Sequence, residues 1–464
     1  MPPQSPADNS ATGKTDKSSG FAGTLEDSSP DLLRLPVKAG DILACGFGMT
    51  SAAWITAYIA RNPMLPAPVA GQVTITFMLA MVFIGGFLAA RYSAKGIWAA
   101  VGAGALSGLL NILIVGSILH DAAKNSSLVP VAALWVGGSI LLNAFVAGAG
   151  GLIGMLAPSP NRNAVRWNAI FPALLACTTL MLIIAGGFVT GFSAGMAVPD
   201  WPQSYGYNMF LFPLSKMQSV DGKFYEHSHR LLGSLVGLTS LAVAVYLTRI
   251  ERRRWVKLFA WAIFVGVCIQ GLMGGFRVTE NSIPLATLHG IFAQVVFASM
   301  ACLSAAGMRT PPVSEASGTS DRFFSGSLLG SLIVQLTLGA LVRQRVDSLV
   351  LVHIMMAALV ALLAITCGFR AIVLHGGLKP LKRVGIAIMV IVGIQLLLGI
   401  IALALRSPTG EARTTLSALW TTAHQANGAL LLVSCALLWF WDLRLLKPSE
   451  QAAGPSPKPV MQPA

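Results

Sequence analysis

The chain has 464 residues, 55% of them hydrophobic and 11% charged, with a mean hydropathy of +0.70. Soluble domains carry roughly 25% charged residues, so the composition excludes one and defines a polytopic membrane protein. The formal charge of +14 would suit nucleic acid on a soluble domain, but here Lys and Arg fall in short loops between apolar runs, the positive-inside pattern, and no nucleic-acid partner is expected.

Residues 1–38 are rich in Ser, Pro and Gly, hold Asp8, Glu26, Asp27 and Asp31 among basic residues, and contain no apolar run. This argues against a signal or transit peptide and for a disordered cytoplasmic tail. Twelve apolar runs of about 20 residues, long enough to cross a bilayer, come after it near 41–60, 69–90, 96–119, 128–157, 167–192, 229–248, 255–276, 285–306, 323–342, 349–369, 383–405 and 416–441. The most basic connections are 249–257, with Arg249, Arg252, Arg253, Arg254 and Lys257, and 370–383, with Arg370, Lys379, Lys382 and Arg383. Fixing both in the cytoplasm places both termini there too, and puts the 193–226 loop on the outer side of a bacterial cytoplasmic membrane.

Residues 39–160 form an extra four-helix membrane module. It is rich in Gly and Ala, with small residues such as Gly102-Ala103-Gly104-Ala105 suited to close helix packing. Its one histidine, His120, falls in a loop, and no charge is embedded in the spans. The module is read as accessory, for packing or docking, and as dispensable for chemistry. All six cysteines, Cys45, Cys177, Cys268, Cys302, Cys367 and Cys435, lie in apolar runs and are expected as buried small hydrophobes without disulfides.

Residues 161–443 carry an internal repeat of helix pairs, with a second tail at 444–464. Three helices end in Gln270-GLM-Gly274, Gln335-LTL-Gly339 and Gln395-LLL-Gly399, and each precedes a helix that begins near a histidine: His289, His353 and His424. The first pair departs from the pattern, with Leu182 in the glutamine position before Gly186 and Gly187, ahead of His229. Gly187-Phe188-Val189 also parallels Gly275-Phe276-Arg277. The predicted fold is all-α, an eight-helix bundle of two four-helix halves behind the extra module.

Four histidines at one membrane face, two in each half, suit two planar iron porphyrins, each with an imidazole on either side and apolar walls. Zinc is a poor rival, because no cysteine or second acidic ligand accompanies either pair. Glu226 precedes His229 by three residues and would share its helix face, either as a helix-start residue facing the dipole or as a carboxylate beside the porphyrin edge. His227 points elsewhere and is expected at the interface, with a ligand role as the alternative. Arg277, Arg343, Arg345, Arg406 and Arg413 lie in outer loops against the charge trend; Arg343 and Arg345 are candidate partners for porphyrin propionates, with plain solvent exposure the alternative.

The stretch GGFVTG, AGMAVPDWP and YEHSHRLLGSLVGL, with LATLHG, LVHIMMAAL and TTAHQANGALLL after it on alternate helices, resembles the heme A synthase family of cytochrome oxidase assembly over about residues 167–441. The resemblance implies an enzyme that oxidises the C8 methyl of haem O to the formyl of haem A through an alcohol and a gem-diol. It also implies haem b as cofactor on His353 and His424, substrate haem on His229 and His289, and a catalytic role for Glu226. Partners it implies are haem O, the lipid bilayer, a separate electron donor, and haem O synthase or oxidase assembly factors; a homo-oligomer is compatible with it. This chain departs from the family at Val198 and Ser204, where many members carry a cysteine pair, and at His227, where an aromatic residue is common. A non-enzymatic bis-histidine cytochrome b is the rival reading, and it gives no reason for the carboxylate of Glu226.

Overall fold

The computed structural model describes residues 39–65, 69–122, 128–158, 164–217, 222–406 and 413–447. The N-terminal tail and most of the C-terminal one lie outside these residues. Among the described residues twelve helices are long and apolar enough to cross a membrane. They are α1 (Gly40–Ala60), α2 (Gly71–Tyr92), α3 (Ile97–Ala122), α4 (Leu128–Leu156), α5 (Trp167–Gly191), α7 (Lys223–Ile250), α8 (Arg254–Thr279), α9 (Ile283–Gly307), α10 (Thr319–Arg343), α11 (Val350–Val373), α12 (Lys379–Ala404) and α13 (Thr415–Leu445), with a four-residue α6 (Leu214–Met217) in the loop before α7. The protein is therefore an all-α polytopic membrane protein, as its composition requires. Ser314–Ser317 and Leu446–Lys447 add one short parallel strand pair, β1 with β2.

Helices α1 to α4 pack on one another through glycines that bring backbones together. Gly104 and Gly108 of α3 lie against the backbone of α4 at Asn143 and Ser139, and Gly150 and Gly154 of α4 lie against the carbonyls of Phe83 and Phe87 on α2. Buried polar side chains then join helices where no water competes. Trp54 donates to Asn111 (3.0 Å), Asn111 to Asn143 (3.4 Å), and Thr50 to Ser107 (3.0 Å). His120 lies in the last turn of α3 rather than in a loop, because the apolar run carries its helix past Gly116.

The next eight helices form two rings of four. In the first, α5 packs on α7 and α9, and α8 lies between α7 and α9; in the second, α10 to α13 pack in the same cyclic order. The rings meet where α13 crosses α5 and α9. Gly187 and Gly191 of α5 face Thr422 and Ala418 of α13 there, so close that a Cβ on either would press into the neighbour. Helix α1 belongs to two cores. Its Met49 packs with α2 to α4, while Phe47, Trp54 and Tyr58 join the core of the first ring.

One boundary differs from the hydropathy pattern in a way that matters for the site. The apolar run begins at His229, yet α7 begins at Lys223, capped by Gly222 in the left-handed conformation (φ 78°) that glycine adopts without Cβ strain. Glu226 and His227 therefore sit inside the helix. The six cysteines are free thiols distributed over α1, α5, α8, α9, α11 and α13.

Candidate functional site

The four repeat histidines come together as two pairs. His229 of α7 faces His289 of α9, with ring centroids 6.4 Å apart and planes at 80°. His353 of α11 faces His424 of α13 at 6.4 Å and 78°. His375, outside both pairs, lies at the far end of its helix pair, 3.1 Å from Asp321, which also binds Arg370 at 2.8 Å.

The Gln-x-x-x-Gly repeat has a physical reason in these pairs. Each glycine is where an imidazole edge meets the neighbouring helix. A Cβ would stand 2.8 Å from His229 Cε1 at Gly186, 3.2 Å from His289 at Gly274, and 3.1 Å from His353 at Gly339 and from His424 at Gly399. The glutamines bond the histidine residues from one turn away. Gln270 and Gln335 donate to the backbone carbonyls of His289 (3.2 Å) and His353 (3.1 Å), and the amides of Gln335 and Gln395 lie 3.4 and 3.3 Å from the Nε2 atoms of His353 and His424. Leu182 leaves His229 without that amide. It is the only histidine of the four so placed.

These residues fit an iron porphyrin by their own geometry. All four Nδ1 atoms are buried and make no hydrogen bond of good geometry among the described residues, only a weak approach to the backbone at Leu182, Gln270, Gln335 and Gln395, an arrangement that suits imidazoles with another task. Two imidazoles bonded at ~2 Å to opposite sides of one ion hold their ring centres several ångströms apart, as each pair does. Haem would be held by His229 with His289, and by His353 with His424.

Around the first pair the loop from Phe192 to Met217 is tied down by ionisable groups. Glu226, 2% exposed, accepts from the backbone amide of Val198 (3.1 Å) and from Arg230 (2.8 Å), one turn further along α7. Arg230 in turn donates to the carbonyls of Val198 (2.7 Å), Asp200 (2.7 Å) and Gln203 (3.0 Å). Arg277 reaches the carbonyl of Gly195 (3.0 Å), and Trp201 lies flat on Gly275, where a side chain would collide with its ring. Burial pushes the Asp200 carboxyl up, but the amides of Gly206 and Tyr205, with Arg230 nearby, outweigh it and hold the group below its usual value.

His227 is not interfacial as expected. It is fully buried, its Nδ1 3.2 Å from Ser204 and its ring against Phe212 at 4.8 Å, because the loop folds over the start of α7 and covers it. Val198 and Ser204 are thus both contact points of the loop with α7. The role of Arg230 was missed from the sequence, although the Glu226-x-x-x-Arg230 spacing already placed the two charges on one helix face.

Arg343 and Arg413, outer arginines of the second ring, turn inward to carbonyls rather than into solvent. Arg343 is half-buried between the rings, donating to Gly187 (2.5 Å) and Thr421 (3.1 Å) carbonyls and to the Thr422 hydroxyl (3.4 Å), with its Nε left buried and unpartnered. Arg413 donates to the carbonyls of Thr190 (2.7 Å) and Arg343 (2.6 Å). Both cations thereby bind carbonyls in the last turn of α5, where the helix dipole favours positive charge. Arg345 comes just after α10 in the left-handed region (φ 68°), and Arg406 pairs with Asp347.

The fold and site define a helical membrane protein with two facing-histidine centres, only one of which has a carboxylate within one turn of a facing histidine. Residues 212–352 match the COX15-CtaA family model, described as a cytochrome oxidase assembly protein. The matched span is just under a third of the chain. It contains Glu226, His227, His229, His289, Arg343 and Arg345 and stops one residue before His353. No curated protein matches the chain. Over that span the chain is similar to a cytochrome oxidase assembly family.

Proposed function

We propose that this protein is a haem-modifying oxidoreductase of the heme A synthase type, oxidising the C8 methyl of haem O to the formyl group of haem A. The observation that carries the reading is an asymmetry. Glu226 stands three residues before His229, while the equivalent positions before His289, His353 and His424 are Ala286, Val350 and Thr421. Two centres of equal histidine geometry, one alone equipped with a buried carboxylate, are what a resident cofactor and a reacting substrate would need.

On this reading His353 and His424 hold haem b, which supplies electron transfer when bound, and His229 and His289 hold the substrate haem. Residues of the first ring then do the positioning. The loop excludes water from the substrate edge, Arg230 keeps Glu226 aimed, and Glu226 takes up a proton released as the methyl is oxidised. Arg343, with its free Nε, and Arg345 are the candidate propionate partners. The oxidation runs as two successive monooxygenations, each taking dioxygen as oxidant and two electrons from a separate donor, and the gem-diol then loses water to give the formyl. The protein lies in the bacterial cytoplasmic membrane with the histidine end outward, and residues 39–160 and 161–443 are its two functional parts.

The near-identical geometry of the two pairs, 6.4 Å in each, is also what a two-haem cytochrome b for electron transfer would have. Expression in a host that makes haem O, with the extracted haems identified by mass, separates the readings. Haem A is expected from the wild type, and haem O with little haem A from Glu226→Gln at unchanged haem content. A wild type that returns only unmodified haem leaves the electron carrier standing and removes the enzyme.

A further inference from the structure

We propose that the module α1–α4 is the second wall of the loop over the His229–His289 pair, and that Asn62 and Gly116 are positioning residues for Glu226. The loop has two sides. Toward the bundle it is held by Arg230, Arg277, His227 and the Trp201–Gly275 contact described above. Toward the module it is held by the histidine-side ends of α1 and α3.

At the end of α3, Gly116 lies directly against the carbonyl of Phe210, and a Cβ there would collide with it and press on Leu211. Leu113 and Ile114 join Met209 and Phe210 in the same apolar core. Just past the end of α1, Asn62 is 8% exposed and uses its Oδ1 twice, for the Met64 amide at 3.0 Å and the Tyr225 hydroxyl at 3.2 Å. Tyr58, one turn earlier, stacks on Phe224 at 5.3 Å. Tyr225 closes the circuit by stacking on Phe192, the first residue of the loop, at 4.6 Å.

Phe224 and Tyr225 immediately precede Glu226, and successive residues of a helix share one rigid backbone. Fixing their rings against α1 fixes the rotation and height at which α7 presents Glu226 to Val198 and Arg230. Phe210 and Leu211 lie between the other anchors, Gln203 and the start of α7, so Gly116 sets how far the loop can lift. Deeper in the membrane, Ser51 accepts from Thr178 (2.9 Å) and Phe47 packs on Phe171 (5.6 Å), which locks α1 to α5 and makes the wall rigid. The expectation that the module is dispensable for chemistry gives way to a positioning role.

The test uses the full-length holoprotein in detergent, loaded with haem O, and three variants: Gly116→Val, Asn62→Leu and Tyr225→Phe. Readouts are the rate of trypsin cleavage after Lys216 in the loop, the reduced spectrum of each histidine centre, and the ratio of haem A to haem O. Gly116→Val is expected to raise cleavage several-fold, shift the spectrum of the His229–His289 centre and lower the ratio, with the His353–His424 spectrum retained. Asn62→Leu and Tyr225→Phe remove opposite ends of one hydrogen bond, so each gives a smaller change of the same kind and the double variant little more than either. Should Gly116→Val fail to insert, those two carry the test.

Wild-type cleavage rates in variants that keep the His353–His424 spectrum would overturn the proposal. Faster cleavage with an unaltered His229–His289 spectrum and unaltered product would overturn it equally. The product ratio rests on the proposed function, whereas cleavage and spectra do not. A wild type that makes no haem A would thus sink that function and still leave the wall decided.

Discussion

Gly186→Ala should loosen the His229–His289 centre more than the same change at any of the other three glycines. The added Cβ would stand 2.8 Å from His229 Cε1, against 3.1 Å at Gly339 and Gly399 and 3.2 Å at Gly274. Relative to ordinary van der Waals contact the ring must retreat by roughly 0.6 Å at Gly186 and roughly 0.2–0.3 Å elsewhere, in a close-packed interior with little slack. Overpacking of this kind costs about 1–3 kcal/mol, which corresponds to roughly 5- to 150-fold weaker haem retention at about 1.4 kcal/mol per tenfold. An opposing effect accompanies it, because alanine is a better helix former than glycine by ~1 kcal/mol, so thermal stability of the haem-free protein need not fall. The measurement is therefore haem content at limiting haem, centre by centre from reduced spectra, alongside the unfolding temperature. Gly186→Ala should fall at the severe end and Gly274→Ala at the mild end. If Gly274→Ala loses haem first, or Gly186→Ala retains haem as the wild type does, the glycines do not serve as seats for the imidazoles.

Arg230→Met strips a buried carboxylate of its partner and the loop of three anchors, and should destabilise by about 3–5 kcal/mol; the double change with Glu226→Gln should be milder than Arg230→Met alone, read by thermal unfolding. The depressed Asp200 carboxyl contributes loop stability that is present above the ordinary aspartate value of 3.8 and is lost as pH falls through its lower folded value. Acid-stable proteolysis should accordingly show loop opening below that point, and Asp200→Asn should flatten the dependence. His353→Ala and His424→Ala should each abolish one low-spin signal and leave the other centre's spectrum in place, whereas two unchanged signals would reject the pairing.

The twelve spans and the pairing of histidines by halves were legible because both arise from periodic patterns: length of apolar run, and recurrence of glycine and glutamine ahead of each histidine. The start of α7 was not, since a membrane helix that begins with Lys223 to Arg230 is polar for two turns, and hydropathy registers only the apolar residues beyond them. His227 was misplaced for a related reason. Burial there comes from Ser204 and Phe212, more than a dozen residues away along a loop whose path no local pattern encodes. The role of the module was hidden because Asn62 and Gly116 carry no chemistry of their own, and their significance is entirely in what they touch.

A fourfold repeat also separates what is common from what is special. The glycine seat occurs at all four histidines, so it belongs to whatever both centres share, the holding of an imidazole against a helix. The two departures, Leu182 for a glutamine and Glu226 ahead of a histidine, fall in the same helix pair, α5 and α7. Loss of an amide next to His229 and gain of a carboxylate one turn away are opposite changes in polarity around a single imidazole. They would soften one ligand while placing a proton acceptor near it. A centre that must admit and release its haem needs a ligand less firmly braced than one that keeps its haem, and the long loop with its two walls covers that centre and not the other. On the proposed function, this divergence within the repeat assigns turnover to the first ring and the resident cofactor to the second.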